Sequence, residues 1–128
     1  MPRFFFLFLL IANYSAGLHA QVVRSVPVFP NGEESLTIYF NAEFGNGGLK
    51  DCNCDVYMHT GVITDRSTSP SDWKYVQGVW GQANAAWRMQ RAGANLYTFT
   101  MTPRSYYNVP GNEQIKRLAF VFRNADGS

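Results

Sequence analysis

Apolar and polar residues alternate along most of this chain with a period of two. Leu36-Thr37-Ile38-Tyr39-Phe40-Asn41-Ala42 predicts a central strand with one buried face. Asp55 to Ile63 predicts a second strand, with Val56 and Met58 on one face and Tyr57 and His59 on the other. Trp87–Arg91 and Leu96–Met101 both alternate around Ala92-Gly93-Ala94-Asn95, the strongest hairpin signal in the chain. Ile115 to Arg123 predicts a last long strand. Ser25 to Pro30 predicts an edge-strand start, because its prolines cannot donate to a ladder. Trp73–Val76 and Gly78–Gly81 predict shorter strands or irregular crossings, and Pro103–Asn112 a long loop. No segment sustains a helical period. Short strands separated by frequent turns predict an all-β, two-sheet sandwich, with a barrel as the lesser alternative.

The N-terminus breaks this pattern. Met1-Pro2-Arg3 gives a positive start, Phe4 to Ala12 is uninterrupted apolar sequence, and Gly17-Leu18-His19-Ala20 precedes Gln21. That is the layout of a secretory signal peptide, shorter than the ~20 residues a bilayer-spanning helix needs. Residues 1–20 are expected to be removed, an uncleaved anchor being the alternative. Residues 21–128 then form one secreted domain, extracellular or at the cell surface, with no membrane span. At the other end, Asn124-Ala125-Asp126-Gly127 is hairpin-turn chemistry, so a further strand is expected. On this reading the sandwich is truncated before its last strand, and the chain is a fragment of a longer protein.

Composition narrows the function. Aromatic residues make up 16% of the chain and charged residues another 16%, so many rings must reach the surface. The net charge of +2 with scattered Lys and Arg argues against nucleic acid as a partner. Glycoside hydrolysis needs two acids placed across a sugar ring. Here Glu33, Glu34, Glu43, Asp51, Asp55, Asp65, Asp72, Glu113 and Asp126 all fall in turns, loops or strand ends, where acids are normally solvated. Cys52-Asn53-Cys54 is tighter than a zinc-knuckle pair. Asp51-x-Asn53-x-Asp55 begins like a calcium loop but has Val56 where the glycine belongs. No cofactor, metal or catalytic residue is expected. Cys52 and Cys54 are compatible with a bridge to each other, with two free thiols, or with pairing to another chain.

Sugars present flat C–H faces edged by hydroxyls, so a sugar-binding protein needs exposed rings beside a few polar groups. His59 and Trp73 are the leading ligand candidates, with Tyr57, Tyr106 and Tyr107 behind them. Trp80 and Trp87 are expected in the core.

The chain also resembles a known family. Val56-Tyr57-Met58-His59-Thr60-Gly61 with Trp73 downstream, Leu96-Tyr97-Thr98-Phe99, and Leu118-Ala119-Phe120-Val121-Phe122 are similar to the immunoglobulin-like starch-binding module at the N-terminus of secreted bacterial α-amylase-like proteins. The resemblance covers residues 25–128. It implies an immunoglobulin-like sandwich that binds α-glucan without catalysing its cleavage, with His59 and Trp73 as its best-matched ligand residues. It also implies neighbouring domains of the same polypeptide as partners. The chain departs from that pattern in an insertion, Val62 to Asp72, ahead of Trp73. The alternative to polysaccharide binding is a spacer whose rings pack against those neighbours.

Overall fold

The computed structural model describes the backbone of residues 5–10 and residues 22–28 and 30–127 in full. Most of the segment read as a leader, its cut site included, and Phe29 of the first predicted strand lie outside the described residues. Among the described residues, eight strands form two antiparallel sheets. The strands are β1 (Phe5–Leu10), β2 (Val23–Val26), β3 (Leu36–Asn41), β4 (Tyr57–Thr64), β5 (Lys74–Gln77), β6 (Gln90–Gly93), β7 (Leu96–Met101) and β8 (Ile115–Arg123). One sheet runs β1-β8-β4-β5 and the other β2-β3-β7-β6. The fold is a two-sheet β-sandwich.

The core follows directly from the alternation. Leu36, Ile38 and Phe40 of β3 and Tyr97 and Met101 of β7 face Met58 and Val62 of β4 and Leu118, Phe120 and Phe122 of β8. Phe40 stacks on Phe122 at 4.2 Å between ring centroids, and Phe122 on Phe120 at 5.6 Å. The β6–β7 hairpin turns through Asn95 at φ 58°, a conformation asparagine tolerates better than most residues. Cys52 and Cys54 are bonded to each other, which settles the three readings of that pair.

Two departures from expectation stand out. Phe5–Leu10, the centre of the apolar N-terminal run, lies along β8 from Phe5 opposite Phe122 to Leu10 opposite Arg117. It takes the edge of β8 where a strand after the Asn124–Gly127 turn is expected. Among described residues 22–127 no other strand pairs with that edge of β8. The long loop also contains a short helix, α1 (Pro103–Tyr106), with proline in its first turn.

Not every acid is solvated. Glu113 is buried, accepting hydrogen bonds from the Thr64 hydroxyl at 2.6 Å and the Tyr75 hydroxyl at 2.6 Å, with Arg66 at 3.8 Å. It ties β4 and β5 to the approach to β8. Tyr75 stands at φ 53°, costly for an aromatic residue, and this bond anchors its side chain. The Thr64 bond first, then Tyr75 and the Arg66 charge, hold the Glu113 carboxyl below its usual value of 4.5, against the opposing effect of burial. Stability from such a group is complete above its unfolded pKa and is lost as pH falls through the folded one. Glu113→Gln should therefore lower the urea midpoint at pH 7 and shrink the drop between pH 7 and pH 3. An unchanged acid profile would show that Glu113 carries no acid-sensitive stability.

Candidate binding site

Tyr57, His59 and Gly61 alternate on the outer face of β4, away from the core. Two loops bring rings onto this face. The first runs from Thr64 to Trp73 and is closed by its own polar side chains. Asp72 accepts from the Thr68 amide at 2.9 Å, the Ser67 hydroxyl donates to the Asp72 carbonyl at 2.9 Å, and the Thr64 amide donates to Ser67 Oγ at 3.0 Å. Of the predicted insertion, Val62–Thr64 complete β4 and the rest is a self-capped loop that returns Trp73 beside Gly61. A Cβ on Gly61 would stand 3.1 Å from the Trp73 Cβ. The β4–β5 pairing shifts register between Thr60 and Val62, at this same glycine.

The second loop follows β5. Gly78 at φ 122° and Gly81 at φ 83° turn the chain so that Trp80 reaches the outer face. The His59 ring lies 6.4 Å from Trp73, tilted by 36°, and 5.7 Å from Trp80, edge to face at 76°. Two of the rings sit against a glycine, His59 on Gly78 (a Cβ there would be 2.9 Å from Nδ1) and Trp80 on Gly127 (a Cβ there would be 2.5 Å from Nε1), while Trp73 meets Gly61 through its Cβ. The three rings form a tilted cluster rather than a flat row.

Arg123 fixes the second loop. Its side chain is fully buried on the outer side of β8, opposite Tyr57 in the β4–β8 register. One terminal nitrogen donates to the carbonyls of Asn124 at 2.9 Å and Ala125 at 3.3 Å. The other donates to Val79 at 3.0 Å and Gln82 at 2.6 Å. Its guanidinium lies 5.6 Å from the Tyr57 ring centroid and 5.5 Å from that of Trp80. Burial lowers its pKa from the ordinary arginine value, yet an arginine keeps its charge inside proteins. A buried cation here links the Trp80 loop, the C-terminal turn and the sheet.

The structure separates the predicted ligand residues. His59 is half-buried and Trp73 half-exposed, and they stand together. Tyr57 is buried, with its ring facing Arg123. Tyr107 is 1% exposed and belongs to the core; its hydroxyl bonds Thr60 Oγ1 at 2.7 Å, and Thr60 in turn donates to the Ala119 carbonyl at 2.6 Å. Thr60 has one hydroxyl hydrogen, so Tyr107 is the donor. Tyr106 is half-buried, edge-on to Phe99 at 5.3 Å and to Tyr107 at 5.1 Å, and donates to the Ala86 carbonyl at 3.2 Å. Burial raises its pKa to about 12, so it stays a neutral hydroxyl.

Trp80, expected in the core, is 46% exposed, and sequence reasoning missed it; Trp87, also expected there, is only half-buried, at the end of a short 3-10 helix, Ala85–Trp87. The signal was present in Gly78-Val79-Trp80-Gly81, since a ring between two turn glycines lies on a loop, not in a sheet interior. Among the described residues no group of three or more His, Cys, Asp and Glu side chains is arranged to hold a metal ion. No curated protein matches the sequence. A family model does match, over residues 25–128, and the chain belongs to that family, described as a domain of unknown function, DUF8578.

Proposed function

We propose that this DUF8578 domain is a non-catalytic carbohydrate-binding module of a secreted protein, with α-glucan as its ligand. The observation that carries the reading is the gathering of Trp73, His59 and Trp80 on one outer face, with glycines packed close against all three side chains. Aromatic faces offer a C–H surface of a sugar a dry partner, and a rigid loop lowers the entropy of binding it. The rings are tilted, so they suit a bent or helical chain better than a flat ribbon; an α-linked glucan curves in that way. The two-sheet fold and the immunoglobulin-like resemblance around His59 agree with this reading. The module would hold an attached enzyme near its polymer by raising the effective concentration.

A second reading rests on a different observation. Exposed apolar residues continue from Trp80 through Val79 to Val76 of the edge strand β5. Aliphatic side chains on an edge strand suit a protein neighbour better than a sugar. The spacer reading makes this face a contact with an adjoining domain.

Affinity electrophoresis of the domain in gels with and without soluble starch separates the two. Retardation that falls at least tenfold in apparent affinity with Trp80→Ala and with Trp73→Ala is the expected result. Equal mobility in starch and in a panel of other soluble glycans would discard the sugar reading and leave the spacer.

A further inference from the structure

Within the proposed site, we infer that His59 is the residue that selects the ligand, as a neutral imidazole whose Nε2–H donates to a ligand oxygen between Trp73 and Trp80. This rests on the reading of that face as a binding site, and it adds the polar contact that two indole faces cannot supply.

The two nitrogens of His59 are not equivalent. Nδ1 is buried with no hydrogen-bond partner, pressed against Gly78, in a ring that is half-buried as a whole. A proton on Nδ1 would be an orphaned buried N–H, the rarest kind of unsatisfied group in folded proteins. A bare lone pair on Nδ1 leaves a weaker deficit, and its proton then sits on Nε2. The doubly protonated ring would bury a charged N–H close to the Arg123 cation. Burial first, and then that cation, accordingly lower the His59 pKa below 6.5. The packing around Nδ1 thus leaves Nε2–H as the one donor of this half-buried ring.

A fixed neutral donor between two indoles selects for oxygen acceptors. A hydroxyl or ring oxygen of a sugar satisfies it, while a purely apolar partner would leave it desolvated and unpaired. The contact therefore also disfavours the aliphatic protein surface that the spacer reading requires.

Long-range 1H–15N correlation spectra of the labelled domain report the protonation of each ring nitrogen directly. The expected result at pH 7 is the Nε2–H tautomer, with the Nε2 resonance moving on titration with maltodextrin and Nδ1 nearly still. His59→Phe, which keeps the ring and removes the donor, should weaken maltodextrin binding about tenfold. His59→Gln, which supplies an N–H near the same place, should recover most of it. An Nδ1–H tautomer or an imidazolium at pH 7 would overturn the inference whatever binds. So would full affinity in His59→Phe while Trp80→Ala is inactive, which leaves the binding site standing without this donor. Maltodextrin shifting no resonance would remove the donor role together with the function reading.

Discussion

Arg123→Met is expected to lower the melting temperature by roughly 15 °C and to release Trp80. Methionine keeps the apolar reach of the side chain but donates nothing. The carbonyls of Val79, Gln82, Asn124 and Ala125 then lose their shared donor. A hydrogen bond to a charged group contributes about 1.5–3 kcal/mol, and an orphaned buried carbonyl costs a similar amount. The two segments sit at the surface, so they can peel outward and recover water. The net loss is for that reason about 3 kcal/mol rather than the sum of four bonds. Peeling moves Val79–Gln82, and with it Trp80, off the His59 face, so glycan retardation should vanish along with the stability. Tryptophan emission should shift to longer wavelength as Trp80 becomes solvated. Arg123→Lys is expected to recover less than half the loss, because a compact ammonium on a flexible stem cannot span acceptors on both sides as the planar fork does. A melting temperature within about 3 °C of wild type in Arg123→Met would mean that the loop is held by something else.

That dependence explains why the site was harder to read from sequence than the fold. β3 and β7 were legible because each alternates along its length, and β8 because its apolar run Leu118–Phe122 is long and rich in strand formers; all three use their inner faces for the same core. The bounds predicted for β8, Ile115 to Arg123, match those of the strand. Alternation says which face of a strand is buried, and it placed Tyr57 and His59 together on the outer side of β4. It says nothing of what covers that side. Arg123 ends β8 and reads as a solvated strand-end charge; it is buried because two glycine-bearing loops close over it. Glu113 misled in the same way, since its loop position hides two hydroxyl partners brought from β4 and β5, distant in sequence. Tyr106 and Tyr107 lay on a loop rich in turn residues and read as exposed. Instead Pro103–Tyr106 coils into a short helix, and Tyr107 is carried inward to the Thr60 hydroxyl. Loop residues take their burial from packing partners far along the chain, and local periodicity holds no record of those.

The N-terminal segment carries two incompatible signals, and removing it should have a visible effect. The chain of residues 21–128 is expected to be less stable than 1–128 by about 2 kcal/mol and to self-associate. β1 pairs with β8 over six residues, and antiparallel pairing of that length supplies several backbone hydrogen bonds, each worth about 0.5–1.5 kcal/mol net. Much of that gain offsets the entropy of ordering six residues, about 1–2 kcal/mol each, which keeps the net effect modest. The larger consequence is geometric. Without β1, the apolar stretch Leu118–Phe122 offers a row of unpaired N–H and C=O groups along one side. Edge strands of that kind recruit other strands unless charge or proline blocks them, and the charges of β8 stand at Lys116, Arg117 and Arg123, outside this stretch. Sedimentation velocity of 21–128 should therefore show association that grows with concentration, while 1–128 stays monomeric in the same buffer. Its urea midpoint should rise with concentration as β8 edges find one another. A monomeric 21–128 as stable as the longer chain would instead mean that residues 5–10 add nothing to the fold and that β8 tolerates an open edge in residues 21–128.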